Sequence, residues 1–326
     1  MKNIRIKTLP YRHHFKKPFK IAHGERNGTD VVIVQLQLEG QSAYGEASLP
    51  PYLPDTVNGT LAFFDHPIFK QLEMPENINS FWQKMDKIIP GHYPAKAALD
   101  MALWSLKSQL ENKSIAETLE ITSQNTPAHS FTIGIGSEED MLENIQDGLA
   151  HGFRFFKLKL NGNEDLERVA FFRRVCELPF AIDINQAWQS IDYALNTAKE
   201  IEAMGCVLIE QPFDKFDRQL SAQLTHDLHI PVIADEACQG LDDIKGIAGN
   251  FDGINIKLQK CGGITPALEL IRLARAKNLN ILIGCMSEST IACSAAEVLS
   301  PLADWADLDG PWLIRENPDP ETLFKS

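Results

Sequence analysis

The sequence predicts an α/β protein, a TIM-type (β/α)7β barrel preceded by an α+β domain. Three observations point there. Beyond residue 126, short apolar strands alternate with amphipathic helices, and adjacent strand ends lie roughly 25 residues apart, the size of one strand-plus-helix unit. Eight such strands follow in succession, which suits a parallel barrel better than an open sheet. Before residue 125 the order is different, with strands first and helices afterwards. A chain of 326 residues is long enough for both parts.

Residues 4–11 and 30–38 read as strands. Glu39-Gly40 is a turn signal, and 42–47 reads as a third strand returning from it. Between the first two strands, the polar segment from Ala22 to Gly28 contains two glycines and reads as a connecting loop or a flexible lid. After the Pro-rich stretch 50–54, helical patterns cover about 55–72 and 77–88. The clearest helix is 94–111, where Ala97, Met101, Trp104 and Leu110 recur at helical spacing and Asn112 marks a stop. The barrel strands are expected at 130–135, 154–160, 180–184, 206–210, 231–235, 252–257, 280–284 and 304–308. Gly310-Pro311-Trp312 opens a Pro-rich tail that packs back on the first domain. The expected division is therefore 1–125, 126–309 and 310–326.

The net charge of −13 argues against a general nucleic-acid binder, which needs a basic face. No signal peptide and no bilayer-spanning run is read, so a cytoplasmic protein without a membrane partner is expected. The six cysteines form no CxxC pair and read as reduced thiols in and near a core.

Active sites of such barrels lie at the C-terminal strand ends. There, Asp183, Glu210 and Asp235 follow the apolar cores of three successive strands. Three carboxylates brought into one small volume repel, and a hard divalent cation resolves the repulsion; oxygen ligands with positions left open suit Mg2+. On the second strand, Lys157 and Lys159 stand at i and i+2 and so share a face, while Phe156, Leu158 and Leu160 point the other way. Two solvated lysines on an edge strand would look the same in isolation. Beside the metal strands, the mutual repulsion of the pair instead suggests a lysine of lowered pKa that serves as a base. Lys257, ending the sixth strand, would face Lys159 across the barrel mouth. Two bases on opposite faces suit proton removal next to a carboxylate and inversion of a stereocentre, although an elimination can use the same scaffold.

This set resembles the enolase superfamily, specifically its muconate-lactonising subgroup. The pattern is KxK on the second barrel strand, Asp183-x-Asn185 on the third, Glu210-Gln211-Pro212 on the fourth, Asp235-Glu236 on the fifth and Lys257 on the sixth. The resemblance spans nearly the whole chain and implies that the first domain caps the barrel. Within the subgroup, Asp307-Leu308-Asp309 resembles the Asp-x-Asp with which dipeptide epimerases bind the substrate's α-ammonium; a surface turn before Gly310-Pro311 is the plain alternative. By position, Thr132, Cys285 and Ser287 would line the dipeptide pocket, or be ordinary strand-end residues. Lys157 would contact the substrate carboxylate and tune Lys159.

The resemblance thus implies a Mg2+-dependent dipeptide epimerase. It would invert the α-carbon of the C-terminal residue of an Ala-X dipeptide by two-lysine proton transfer through a metal-stabilised enediolate. Homo-oligomers are compatible with it. Ala-Glu enzymes of the family carry an arginine in the first-domain loop; here that place holds Gly24, with Arg26 two residues on. Either Arg26 takes over the grip on the side chain, or X is small or apolar, and the second is preferred. The competing readings are an o-succinylbenzoate synthase or cycloisomerase using the same site, and a non-catalytic ligand-binding barrel.

Overall fold

The computed structural model describes residues 3–21, 24–123 and 125–325. The chain begins with an antiparallel sheet of three strands, β1 (Arg5–Ile21), β2 (Gly24–Leu38) and β3 (Gln41–Leu49), in the order β1-β2-β3. Helices α1 (Val57–Phe64), α2 (Ile78–Ile88), α3 (Tyr93–Glu111) and α4 (Ile115–Thr118) follow. The helix expected over 55–72 is broken. Thr56 caps α1 through its hydroxyl, which accepts from Gly59 N at 3.1 Å, and only a short 3-10 turn at Pro67–Phe69 continues it. Pro67 lacks the N–H that an unbroken helix would use.

The segment expected as a loop between the first two strands is instead a long hairpin. Ala22 and His23 lie outside the described residues, but Gly24–Gly28 belongs to β2 and pairs with β1, with Phe19 opposite Arg26 and His14 opposite Gly28. Residues 15–18 bulge out between those pairs, and Pro18 lies among them. Gly28 is needed for packing rather than for mobility: a Cβ there would stand 2.3 Å from the His13 carbonyl oxygen.

The eight remaining strands are β4 (Ser130–Ile133), β5 (Phe155–Lys159), β6 (Phe180–Asp183), β7 (Cys206–Glu210), β8 (Val232–Ala234), β9 (Gly253–Lys257), β10 (Asn280–Gly284) and β11 (Trp305–Asp307). Each pairs in parallel with its sequence neighbour. A parallel bridge between His129 and Ala306 joins the last strand to the first, closing the barrel. Around it lie α5 (Glu138–Ala150), α6 (Asp165–Val175), α7 (Ile191–Ala203), α8 (Arg218–Asp227), α9 (Leu258–Cys261), α10 (Ile264–Arg275) and α11 (Thr290–Glu297). Between β8 and β9 there is only a 3-10 turn at Asp243–Gly246. α12 (Gly310–Leu313) and α13 (Pro320–Leu323) form the tail, which returns to the sheet: Arg315 N donates to His14 O at 2.8 Å and its Nε to Phe15 O at 3.0 Å.

The period-two rule divides every barrel strand into two faces. Phe156, Leu158, Ile182, Ile209, Ile254 and Ile256 point outward into the large core under the helices. Phe155, Ala181, Leu208, Ile233 and Leu282 point inward and form a small plug. Two residues further along each of these strands the inward positions turn polar or lose their side chain, at Lys157, Asp183, Glu210, Asp235 and Gly284. α3 is apolar on most of its surface because it is buried on both sides. Ala97 and Met101 belong to the barrel core, while Ala98, Leu99, Leu103 and Leu106 belong to the core under the sheet. Among the described residues no helix is long and apolar enough to cross a membrane.

Candidate active site

The strand register sets the site. Lys159 pairs with Asp183 and Asp183 with Glu210, while on the other side Gly284 pairs with both Lys257 and Asp307. These residues therefore form one ring at the C-terminal end of the barrel. β5 and β9 are four strands apart in a closed ring of eight, so Lys159 and Lys257 stand on opposite walls. Three non-glycine residues just past β6 and β7 take the left-handed backbone conformation, Asn185 at φ 46°, Gln186 at 68° and Gln211 at 38°. Strained backbone of this kind collects at functional sites.

Four lysines and four carboxylates interlock in the ring. Lys157 Nζ lies 2.7 Å from Asp307 Oδ2, 2.6 Å from Glu210 Oε2 and 3.1 Å from Asp183 Oδ2. Lys159 Nζ donates to Asp183 Oδ2 at 2.6 Å. Lys257 Nζ donates to Asp235 Oδ2 and Lys260 Nζ to Asp235 Oδ1, each at 2.6 Å. The expected lowered pKa is not found at Lys157. Burial works to lower it, but Asp307, Glu210 and Asp183 outweigh burial and hold the ammonium well above its usual range. The KxK spacing reveals the neighbouring lysine but not the three carboxylates facing it.

The same balance splits the carboxylates. Burial works to raise Asp183, yet Lys159 and Lys157 hold it at about 2. Asp235 is likewise held down, against burial, by Lys257 and Lys260. Glu210 is pushed up to about 7 by burial and by Asp183. Glu236 is pushed up to about 8 by burial, Asp235 and Asp183.

Among the described residues, no three histidine, cysteine or carboxylate side chains stand ready to hold a metal as they are placed. The expected ligands Asp183, Glu210 and Asp235 are instead taken up by lysine ammonium groups. The donor set nonetheless fits a hard cation. Its atoms are carboxylate oxygens, and two of them, Glu210 Oε2 and Glu236 Oε2, are buried without a hydrogen-bond partner. The contact of Glu210 Oε2 with Lys157 is an ion pair that lacks hydrogen-bond geometry. A divalent cation would relieve the carboxylate repulsion that adds to burial in raising Glu210 and Glu236.

A cavity of about 420 Å3 opens above the ring. It is lined by Thr132, Lys157, Lys159, Asp235, Lys257, Cys285, Ser287, Asp307 and Asp309, so the structure brings these expected site residues together. Asp183 and Glu210 are fully buried and are not in its lining. Arg26 reaches the wall and is flanked by the rings of Phe15 and Tyr52, at 5.6 and 5.4 Å from their centroids. Its Nη1 is buried without a hydrogen-bond partner. Gly24 is exposed and does not line the cavity: it stands at the hairpin end, two residues beyond Arg26, and has no side chain to reach inward.

Asp307 and Asp309 differ. Asp307 Oδ1 accepts from Ser130 Oγ at 2.6 Å, and Lys157 holds its carboxyl down against burial. Asp309 accepts from Thr132 N at 2.6 Å and is pushed up to about 7 by burial and by Asp307.

Sequence reasoning assigns no role to three further residues. Lys260 also donates to the backbone oxygens of Asp235 and Asn255. Asn255 Nδ2 donates to Glu210 Oε1 at 2.7 Å, and Gln211 Oε1 accepts from Asp235 N and Ala237 N. Asn255 carried a signal, since it sits two residues before Lys257 on the inward face of an otherwise apolar strand.

Residues 3–119 match the mandelate racemase / muconate lactonizing enzyme N-terminal domain, and residues 140–312 match the enolase C-terminal domain-like family. Among curated relatives, the L-Ala-D/L-Glu epimerase of Bacteroides thetaiotaomicron is 36% identical over 95% of this chain and 81% of its own length. The L-Ala-D/L-amino acid epimerase of Flavobacterium johnsoniae is 32% identical over 94% and 90%. A dipeptide epimerase from Enterococcus faecalis, solved with Mg and the dipeptide L-Leu-L-Tyr, superposes with a TM-score of 0.89 at 28% identity, covering 97% of this chain and 92% of that one. The chain belongs to the mandelate racemase / muconate lactonizing enzyme branch of the enolase superfamily.

Proposed function

We propose that the protein is a Mg2+-dependent dipeptide epimerase that inverts the α-carbon of the C-terminal residue of an Ala-X dipeptide. The observation that carries this reading is Asp309. Its buried carboxyl lies beside Asp307 at the cavity wall, is raised by burial and by Asp307, and suits a further cationic partner. A substrate ammonium supplies one, whereas substrates of cycloisomerases and o-succinylbenzoate synthases lack it. Relatives and structural neighbours named for dipeptide epimerisation support the same reading.

Lys159 and Lys257 would take and return the α-proton from opposite faces. Lys157, already a dense ammonium centre, would face the substrate carboxylate. Asp183, Glu210 and Asp235 would hold Mg2+, which supplies positive charge where negative charge grows on the substrate carboxylate. Thr132, Cys285 and Ser287 would line the substrate pocket. We assign residues 1–125 to the cap, 126–309 to the barrel and 310–326 to the tail.

For the second residue, the sequence favours a small or apolar X because glycine stands where Ala-Glu enzymes of the family can carry an arginine. The buried, unpartnered Nη1 of Arg26 in the cavity wall supports the other branch, an acidic X gripped by Arg26. The test is a dipeptide library incubated in D2O with Mg2+ and read by mass spectrometry, for the wild type and Arg26→Leu. A one-dalton gain on the C-terminal residue of Ala-X peptides is expected, with Ala-Glu favoured and that preference lost in the variant. No label on any dipeptide, from folded and metal-loaded protein, moves the assignment to a synthase or cycloisomerase.

A further inference from the structure

β3 pairs with β2 along one edge only. On its other edge a side chain takes the place of a strand. Ser48 N donates to Gln259 Oε1 at 3.1 Å, and Gln259 Nε2 donates to Glu46 O at 2.9 Å. A residue of a neighbouring strand makes the same two kinds of bond, one accepted and one donated. Gln259 is completely buried, so neither bond is shared with water, and removing the amide leaves both backbone groups without this partner.

Gln259 lies in α9, the single helical turn that follows β9. Lys257 stands immediately before this turn and Lys260 lies within it. Both lysines grip Asp235, one on each carboxylate oxygen. The turn is thus fastened to the barrel by two ammonium groups, and between them to the cap sheet by one amide. The same strand is fixed to the barrel a second time: Ser48 Oγ donates to Ser287 O at 3.2 Å, and Glu46 Oε1 accepts from Ser289 N at 3.0 Å. Lys159, four strands away on β5 and held by Asp183, makes none of these contacts.

We propose that Gln259 is a positioning residue that locks the α9 turn to the cap sheet and thereby sets where Lys257 stands against the substrate α-carbon. Its amide is bonded to β3 at both ends and also to the Glu288 carboxylate, so although it borders the cavity it acts through Lys257 and not on the substrate. The inference rests on the two-base epimerase reading. Because the lysines serve opposite faces, loosening the turn disturbs proton transfer on one face and spares the other.

The experiment measures α-proton exchange in D2O separately from each epimer of the active dipeptide, with holoenzyme. Gln259→Met keeps the volume and removes both hydrogen bonds. Exchange from the epimer whose proton faces Lys257 should slow about ten- to hundredfold, as expected for a misplaced catalytic group. Exchange from the other epimer should stay close to wild type. Equal slowing from both epimers would mark Gln259 as merely structural and overturn the proposal, as would no slowing at all. Gln259→Glu keeps the acceptor for Ser48 N but loses the donor to Glu46 O. It should slow the same epimer to a lesser degree, and it carries the test if the Met variant fails to fold. Lys257→Ala identifies the dependent epimer. If that variant abolishes exchange from both epimers or from neither, the two-base reading fails, and the inference with it.

Discussion

Asp307 and Asp309 show how far two residues of one short motif can diverge once buried. Asp307 is matched by Lys157 and Ser130, and its carboxyl is held down. Asp309 has Thr132 as its hydrogen-bond donor, and burial and the repelling Asp307 push its carboxyl up to about 7. If a substrate ammonium is its counter-ion, Asp309→Asn removes a charge-assisted bond worth about 1.5–3 kcal/mol, or roughly 10- to 150-fold in kcat/KM. Steady-state kinetics with free and N-acetylated dipeptides checks this. The free dipeptide should lose its advantage over the acetylated one in the variant; an unchanged ratio would recast Asp309 as structural. At this scale the sequence was informative because the chemistry repeats. An acid or a lysine ends one apolar strand after another, and the period-two rule aims them all inward. It was silent where a residue acts through contacts distant in sequence. Lys260, in the stretch before Gly262-Gly263 that resembles the epimerases, gives no sign of its grip on Asp235, and Gln211 none that it holds the backbone of Asp235.

The helix α3 joins the two cores, and its Asp100 caps another helix from the side. Thr265 N donates to Asp100 Oδ2 at 2.8 Å and Thr265 Oγ1 to Oδ1 at 2.6 Å, at the first turn of α10. Burial outweighs these bonds and pushes the carboxyl from 3.8 up to about 7. Between those values the folded protein keeps a proton that the unfolded chain has lost. Stability therefore falls as pH rises through that window and levels off above it. Asp100→Asn should lack this component. Relative to the wild type it should gain about 1.4 kcal/mol between roughly pH 6 and pH 8, one unit of which lies below the folded pKa. Urea unfolding at both pH values measures the difference; parallel curves would show that Asp100 is already ionised in the fold. Element boundaries were legible wherever local rules decided them. The strand at 206–210 and the strand at 280–284 are found where expected, and Asn112 ends α3 in the left-handed conformation. The hairpin is not legible in the sequence because its inward residues after Tyr11 are His13 and Phe15, followed by the Lys16-Lys17-Pro18 excursion. That pattern breaks the apolar alternation by which a strand is recognised. Its pairing is settled by contacts with β2 and with the tail at Arg315, which no local window contains.

At the scale of the whole molecule, cap and barrel are held together around a charged centre. The closed barrel was legible from the recurrence of strand and helix, whereas the interlock of lysines and carboxylates depends on three-dimensional register. That interlock governs how the protein should answer to metal. Glu210 and Glu236 are raised by burial and by the carboxylates beside them, and each leaves a buried oxygen without a hydrogen bond. A cation bound by Asp183, Glu210 and Asp235 would offset the carboxylate repulsion and must bind the folded chain alone, since β6, β7 and β8 assemble the three carboxylates only on folding. Linkage then requires Mg2+ to raise stability, by about 2.7 kcal/mol when the free ion is a hundredfold above its Kd. For a chain of this size that amounts to several degrees of melting temperature. Thermal melts after chelation, and again with added Mg2+, measure the shift. Glu210→Gln keeps the side chain's shape but removes one of the three charges, so it should shrink or abolish the shift. A wild-type melt indifferent to Mg2+ at every concentration tried would mean that the four lysines already balance the carboxylates and that the barrel mouth holds no divalent ion.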